Sequence, residues 1–153
     1  MSIRTADWVA LVDRPIDQAA VRRRLDAAPA DARGGVCIFE GCTRSERHPE
    51  HGSLLRLDYE AYDDMALRQM NALADEAHQR WPLGAIALIH RTGSVAVGEP
   101  SVLIGVASAH RAEAFAACRW LIDTLKRDVT IWKREVWSDG ASTWSDPTAA
   151  PKG

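Results

Sequence analysis

The chain has 153 residues, 46% of them hydrophobic and 26% charged, with a formal net charge of −2. That length suits one domain with a real core, and the charge balance argues against a nucleic-acid binder. The longest apolar runs, such as Ala85–Ile89, have the length of a strand and fall far short of a membrane span.

The first segment, about Ile3 to Val12, reads as a strand and has no apolar signal-peptide core. Pro15 then opens a short helix to about Ala27, followed by a loop over 28–35. Val36 to Thr43 is a strand, and Arg44 to Gly52 a polar loop holding Arg44, Arg47, His48 and His51. Over Leu54–Ala61 the residues alternate, with Leu55, Leu57 and Tyr59 on one face and Arg56, Asp58 and Glu60 on the other. Tyr62 to Arg80 is a helix with Ala66, Met70, Leu73 and Ala77 as its apolar stripe, stopped by Trp81-Pro82. Strands at about 85–91 and 101–107 are joined by a connection carrying Gly93, Gly98 and Pro100.

The strongest helix runs from about Arg111 to Arg127, with Phe115, Cys118, Leu121, Ile122 and Leu125 on its apolar face. A strand over 129–136 turns at Ser138-Asp139-Gly140-Ala141 into a hairpin through Trp144. Several strands adjoin directly, so the expected fold class is α+β, with a mixed or antiparallel sheet and a C-terminal β-hairpin. The expected domain spans 1–145, with 146–153 a small, polar, flexible tail.

Three cysteines, an odd number, fit a reducing cytoplasm better than a disulfide framework. Cys37 and Cys42 lie five apart on a strand and face opposite ways, and Cys118 falls on an apolar helix face. Neither they nor His48 and His51 have metal-ligand spacing, so no metal site is expected. The six tryptophans suit a protein interface or a second core equally.

The charge pattern is more telling. Arginine outnumbers lysine sixteen to three, yet Lys126 and Lys133 stand seven residues apart. A lysine amine can lose its proton when desolvated, which a guanidinium does not do. Residues 108–134 hold six Lys or Arg against three Asp or Glu, a net +3 that leaves −5 for the rest. A local basic site of this kind suits a small anion. Lys126 lies about 20° around the helical wheel from Phe115, and Lys133 shares a strand face with Ile131, while Trp132 and Arg134 point the other way. Both amines are therefore expected beside apolar surface, which lowers a lysine pKa. At the other end of the same helix, Ser108-Ala109-His110-Arg111 either seats an anion at the N-terminus or simply caps it.

Five runs carry a resemblance: Phe39-Glu40-Gly41-Cys42-Thr43-Arg44, Arg80-Trp81-Pro82-Leu83-Gly84, Ile89-His90-Arg91-Thr92-Gly93, Ser108-Ala109-His110-Arg111, and Leu125-Lys126 through Trp132-Lys133-Arg134-Glu135. In order and spacing, over about residues 3–137, they resemble the large, catalytic subunit of molybdopterin synthase, the MoaE family. The resemblance implies an α/β-hammerhead fold and a cytoplasmic sulfurtransferase of molybdenum-cofactor biosynthesis. Such an enzyme converts cyclic pyranopterin monophosphate (precursor Z) to molybdopterin by inserting two sulfurs as a dithiolene. It further implies a small ubiquitin-like sulfur-carrier partner with a C-terminal Gly-Gly thiocarboxylate, and a homodimer core within a heterotetramer. No cofactor, nucleic acid or membrane is implied.

By motif, the implied catalytic residues are Lys126 and Lys133. The implied substrate pocket adds Phe39, Cys42, Thr43, Arg44, His110, Arg111, Arg134 and Glu135. Cys42 and Thr43 depart from the family pattern, in which a basic residue and valine often precede the arginine. The alternative is a non-catalytic α+β module that binds a small phosphate or scaffolds the carrier. The ending Ala150-Pro151-Lys152-Gly153 is not that of the carrier itself.

Overall fold

Alternation along two central strands decides the architecture. The computed structural model describes residues 7–145. In β5 (Leu83–Arg91), Ile86 and Leu88 face one apolar layer while Ala85, Ala87 and Ile89 face another. In β7 (Pro100–Ser108), Val102, Ile104 and Val106 share the first layer, and Leu103 and Ala107 the second. Strands apolar on both sides must be covered on both sides. Helices α2 (Asp63–Arg80) and α3 (Arg111–Asp128) supply the first cover, and α1 (Gln18–Asp26), through Val21 and Leu25, the second.

The four-stranded sheet has the order β1 (Trp8–Val12), β5, β7, β2 (Gly35–Cys42). β1 runs parallel to β5 and the other pairs are antiparallel, so the sheet is mixed and β2 is an edge. A second, antiparallel sheet joins β3 (Arg47–His48), β4 (Gly52–Ala61), β8 (Ile131–Trp137) and β9 (Ser142–Ser145), with β6 (Gly93–Ala96) also on β4. This is the expected α+β class, and β8–β9 is the expected C-terminal hairpin. Its turn carries Gly140 at φ 90°, a backbone that favours glycine.

Several local expectations need correction. The first helix begins after Asp17, not at Pro15, because the Asp17 carboxylate accepts from the Ala20 N–H at 3.0 Å and caps it. The loop over 44–52 and the connection after Arg91 each hold a short strand, β3 and β6. Leu55 is not on the buried face: a register shift between Leu54 and Arg56 turns it outward, and Leu54 and Leu57 are buried instead. Phe115 is 65% exposed, and small Ala114 and Ala117 do the packing expected of it. The expected start of β1 before residue 7 and the tail over 146–153 lie outside the described residues. No helix among the described residues is long and apolar enough to cross a membrane.

Candidate active site

The C-terminal end of α3 meets the start of β8. Lys126 stands in the last turn of α3 and Lys133 in β8, directly opposite Tyr59 of β4. Residues facing one another across antiparallel strands share a face. Tyr59, itself partly buried, turns its ring edge-on to His90 of β5 at a centroid distance of 5.0 Å. Arg44, just past the end of β2, completes the group.

These positions interact electrically. Lys126 is exposed over much of its surface, yet partial burial lowers its pKa. The charges of Lys133 and Arg44 lower it further. His90 is pushed down to about 4, first by burial, with the charge of Lys126 adding to it. The end of α3 thus gathers three cations, Lys126 with Lys133 and Arg44, and the two neighbouring charges together with burial hold the Lys126 amine below the ordinary lysine pKa.

The expectation that Lys126 borders apolar surface holds, although not through Phe115, which is exposed. It comes from the neighbouring buried Leu125 and Val129 and from the wall of β5. Lys133 and Ile131 share a face as expected, with Ile131 against the main core. On the opposite face Trp132 packs edge-on against Tyr62.

Arg134 donates to Asp58 at 2.9 Å and lies over the Trp144 ring. Burial raises the Asp58 pKa, but hydrogen bonds from Arg134, Ser94 and Arg56 outweigh it and hold the carboxyl low. Glu135 is anchored by the Thr143 and Ser145 hydroxyls of β9, both at 3.3 Å. Both side chains are therefore tied to neighbouring strands, Arg134 on the face opposite Lys133.

Arg44 is highly exposed and loosely paired with Glu46 at 3.3 Å, so its guanidinium is free to meet a ligand. Cys42 is exposed, whereas Thr43 buries its side chain and links through its backbone to Gly98 and Glu99. Phe39 lies farther back along β2, 39% exposed.

His110 and Arg111 lie elsewhere. His110 occupies the N-cap of α3 but makes no side-chain capping bond, so simple capping does not account for it. Both residues are exposed. Fifteen residues of helix put Arg111 roughly 22 Å from Lys126 along the axis. β2 runs alongside α3 over the same span. Its Gly35 touches the backbone of Arg111, where an added Cβ would lie 3.2 Å from the Arg111 Cα, and its far end leads to Arg44. The expected pocket thus falls into two groups at opposite ends of α3.

His90 and Tyr59 were missed as site residues. His90-Arg91 ends a strand whose preceding residues are apolar, and a lone polar ring there reads as core. Burial, with the neighbouring Cys37 thiol, pushes Cys118 up to about 12. His48 and His51 belong to a polar loop, with His51 2.7 Å from Asp139 and His48 against Trp137.

Comparison with known proteins agrees with this geometry. The family model described as MoaE protein matches residues 11–128. A molybdopterin synthase catalytic subunit from Nostoc sp. is 42% identical over 118 residues, covering 76% of this chain and 70% of the relative. The crystal structure of molybdopterin synthase from Staphylococcus aureus superposes with a TM-score of 0.79 at 31% identity, covering 89% of this chain and 95% of that one. A complex of subunits 1 and 2 of molybdopterin-converting factor from Helicobacter pylori has the same fold, with a TM-score of 0.71 at 18% identity over 88% of this chain and 86% of that one. Family model, fold and sequence identity agree: the chain belongs to the MoaE family of molybdopterin synthase catalytic subunits.

Proposed function

We propose that this chain is the catalytic half of a molybdopterin synthase, transferring two sulfurs from a thiocarboxylated carrier onto cyclic pyranopterin monophosphate. The observation that carries the reading is the meeting of Lys126, Lys133 and Arg44 around one sheltered amine. Attack by the thiocarboxylate sulfur on a substrate carbon forms a C–S bond and breaks the bond to a phosphate oxygen, which fixed positive charge stabilises as it leaves. Water then hydrolyses the resulting thioester, leaving the sulfur on the substrate and a carboxylate on the carrier. Arg44 and Lys133 supply that charge, while Lys126, with its lowered pKa, moves the proton or activates the carrier carbonyl. The three free thiols suit a reducing cytoplasm.

His110 and Arg111 join the site from a second copy. Two features support this: their separation from Lys126 on α3, and the exposure of three large apolar side chains, Ile38 and Phe39 on the edge strand β2 and Phe115 on α3. Isologous pairing over that edge brings each Arg111 toward its partner's Lys126 and yields two equivalent sites. The carrier docks elsewhere, on the aromatic surface around Trp132 and Trp144, with its Gly-Gly tail reaching Lys126. This makes a heterotetramer, in keeping with the two-subunit complex known from Helicobacter pylori.

The test is reconstitution with thiocarboxylated carrier and precursor Z. The wild-type chain should form dithiolene product. Lys126→Arg should keep fold and charge but lose about 100-fold or more in kcat, the usual worth of a positioned acid or base. Product formation at the wild-type rate by Lys126→Arg would reduce the lysine to a charge. Carrier binding without any product from the wild type would make the chain a scaffold.

A further inference from the structure

Arg44 stands just past the point where β2 stops pairing. The β2–β7 ladder slips between Gly41 and Cys42, and its last pair joins Cys42 to Pro100. The Arg44 side chain is mostly exposed, and its ion pair with the exposed Glu46 is long, at 3.3 Å. An exposed pair of that kind does little to hold a side chain in one place. The backbone beneath Arg44 is instead fixed by a turn from another part of the chain.

Thr43, the residue before Arg44, is buried and is gripped through its main chain on both sides. Its N–H donates to the Glu99 carbonyl at 3.0 Å, and its carbonyl accepts from the Gly98 N–H at 2.7 Å. Gly98 and Glu99 close a tight turn after β6, in which the Glu99 N–H donates back to the Ala96 carbonyl at 3.0 Å. Gly98 holds a φ of 91°, a backbone that glycine takes without strain. The Glu99 carboxylate folds over the same turn, accepting from the Ala96 N–H at 3.2 Å and from Arg91 Nη1 at 3.0 Å. Arg91 Nη2 donates to the Ser94 carbonyl, also at 3.0 Å, so one buried guanidinium ties both β6 and the turn that follows it. Arg91, and then the Ala96 N–H, hold the Glu99 carboxyl below the usual carboxylate range, so it is ionised at neutral pH.

We propose that the Arg91–Glu99 pair is a positioning device for sulfur transfer: it fixes the turn over 96–99, the turn fixes Thr43, and Thr43 sets where Arg44 enters the site. The assignment rests on the functional reading above, in which Arg44 stabilises the departing phosphate oxygen. Charge aimed at a leaving group is most effective when nothing has to reorganise as the bond breaks. An exposed guanidinium on a long stem approaches that condition when its backbone is held. Every link from Arg91 to Thr43 is a hydrogen bond between 2.7 and 3.0 Å. Arg91 and Glu99 therefore act through Arg44 rather than on the substrate.

Two variants remove the device. Glu99→Ala deletes the half-exposed partner, and Arg91→Met/Glu99→Ala removes the pair without leaving a buried charge unmatched. In the reconstituted complex each should lose at least about tenfold in kcat per folded chain, as a displaced catalytic charge does. Glu99→Gln keeps an acceptor for Arg91 and should recover most of that loss. A double-mutant cycle separates positioning from general structure. If the pair acts through Arg44, removing it from a chain that already carries Arg44→Ala should lower kcat no further. Equal losses in the two backgrounds, or wild-type kcat in both pair variants, would overturn the assignment.

A second readout needs no turnover. In the uncomplexed Arg91→Met/Glu99→Ala chain, backbone amide exchange at Thr43 and Gly98 should speed by at least about tenfold, while the central amides of β5 and β7 keep wild-type rates. Unchanged exchange at Thr43 and Gly98 sinks the proposal. Faster exchange there, in a protein whose wild type makes no dithiolene, would fault the functional reading and leave the hold on Thr43 standing.

Discussion

At the scale of single residues, the site is governed by where protons reside. Lys126 is kept from its ordinary pKa by burial and by two like charges, and His90 is kept neutral mainly by burial. The histidine has a consequence for stability. Its folded pKa of about 4 lies below the ordinary 6.5, so the unfolded chain binds the proton first as pH falls. Stability from the neutral ring is fully present above pH 6.5 and drains away between 6.5 and 4, by about 3 kcal/mol. Urea denaturation of wild type and His90→Gln across that window should show the steeper acid loss in the wild type. Parallel curves would mean that the ring is not buried neutral.

Lys126 and Lys133 were legible from composition and spacing because an arginine-rich chain keeps lysine sparingly. His90 was not, because a polar ring at the end of an apolar strand looks like core until its tautomer and neighbours are known. The exposure of Phe115 was likewise hidden. Helical periodicity finds an apolar face but cannot tell a face covered within one chain from one awaiting another.

At the scale of elements, α2, α3 and the strands β5 and β7 were readable because their periodicity is long and their flanks carry clear stops. What escaped were short or irregular pieces. β3 and β6 span two and four residues, too few for alternation to register, and the shift at Leu55 is set by pairing with β8 rather than by local preference. The junction of β2 with α3 also needed coordinates. Gly34 passes so close to the Ala109 carbonyl that an added Cβ would sit 2.0 Å from its oxygen. Since that contact is with backbone, it cannot relax by a rotamer change. Gly34→Ala should therefore cost about 1–3 kcal/mol and shift the His110-Arg111 turn. Carrier binding should persist while KM for the pterin phosphate rises. Unchanged stability and KM in Gly34→Ala would show that the turn has room to move.

At the scale of the whole molecule, two groups of basic side chains stand at opposite ends of one helix, and Phe115 of α3 and Ile38 and Phe39 of β2 are exposed. One chain can bring both to the same small phosphate only by stretching the ligand along α3. Two copies remove that difficulty. The direct measurement mixes Arg111→Ala with Lys126→Ala, each expected to be inactive alone, lets subunits exchange, and assays molybdopterin formation with thiocarboxylated carrier. Random exchange makes half the dimers mixed, and each mixed dimer has one intact pocket beside one carrying both lesions, so activity should return to about a quarter of wild type. If exchange is demonstrated by mass and no activity returns, each pocket belongs to a single chain, and the shared site is contradicted.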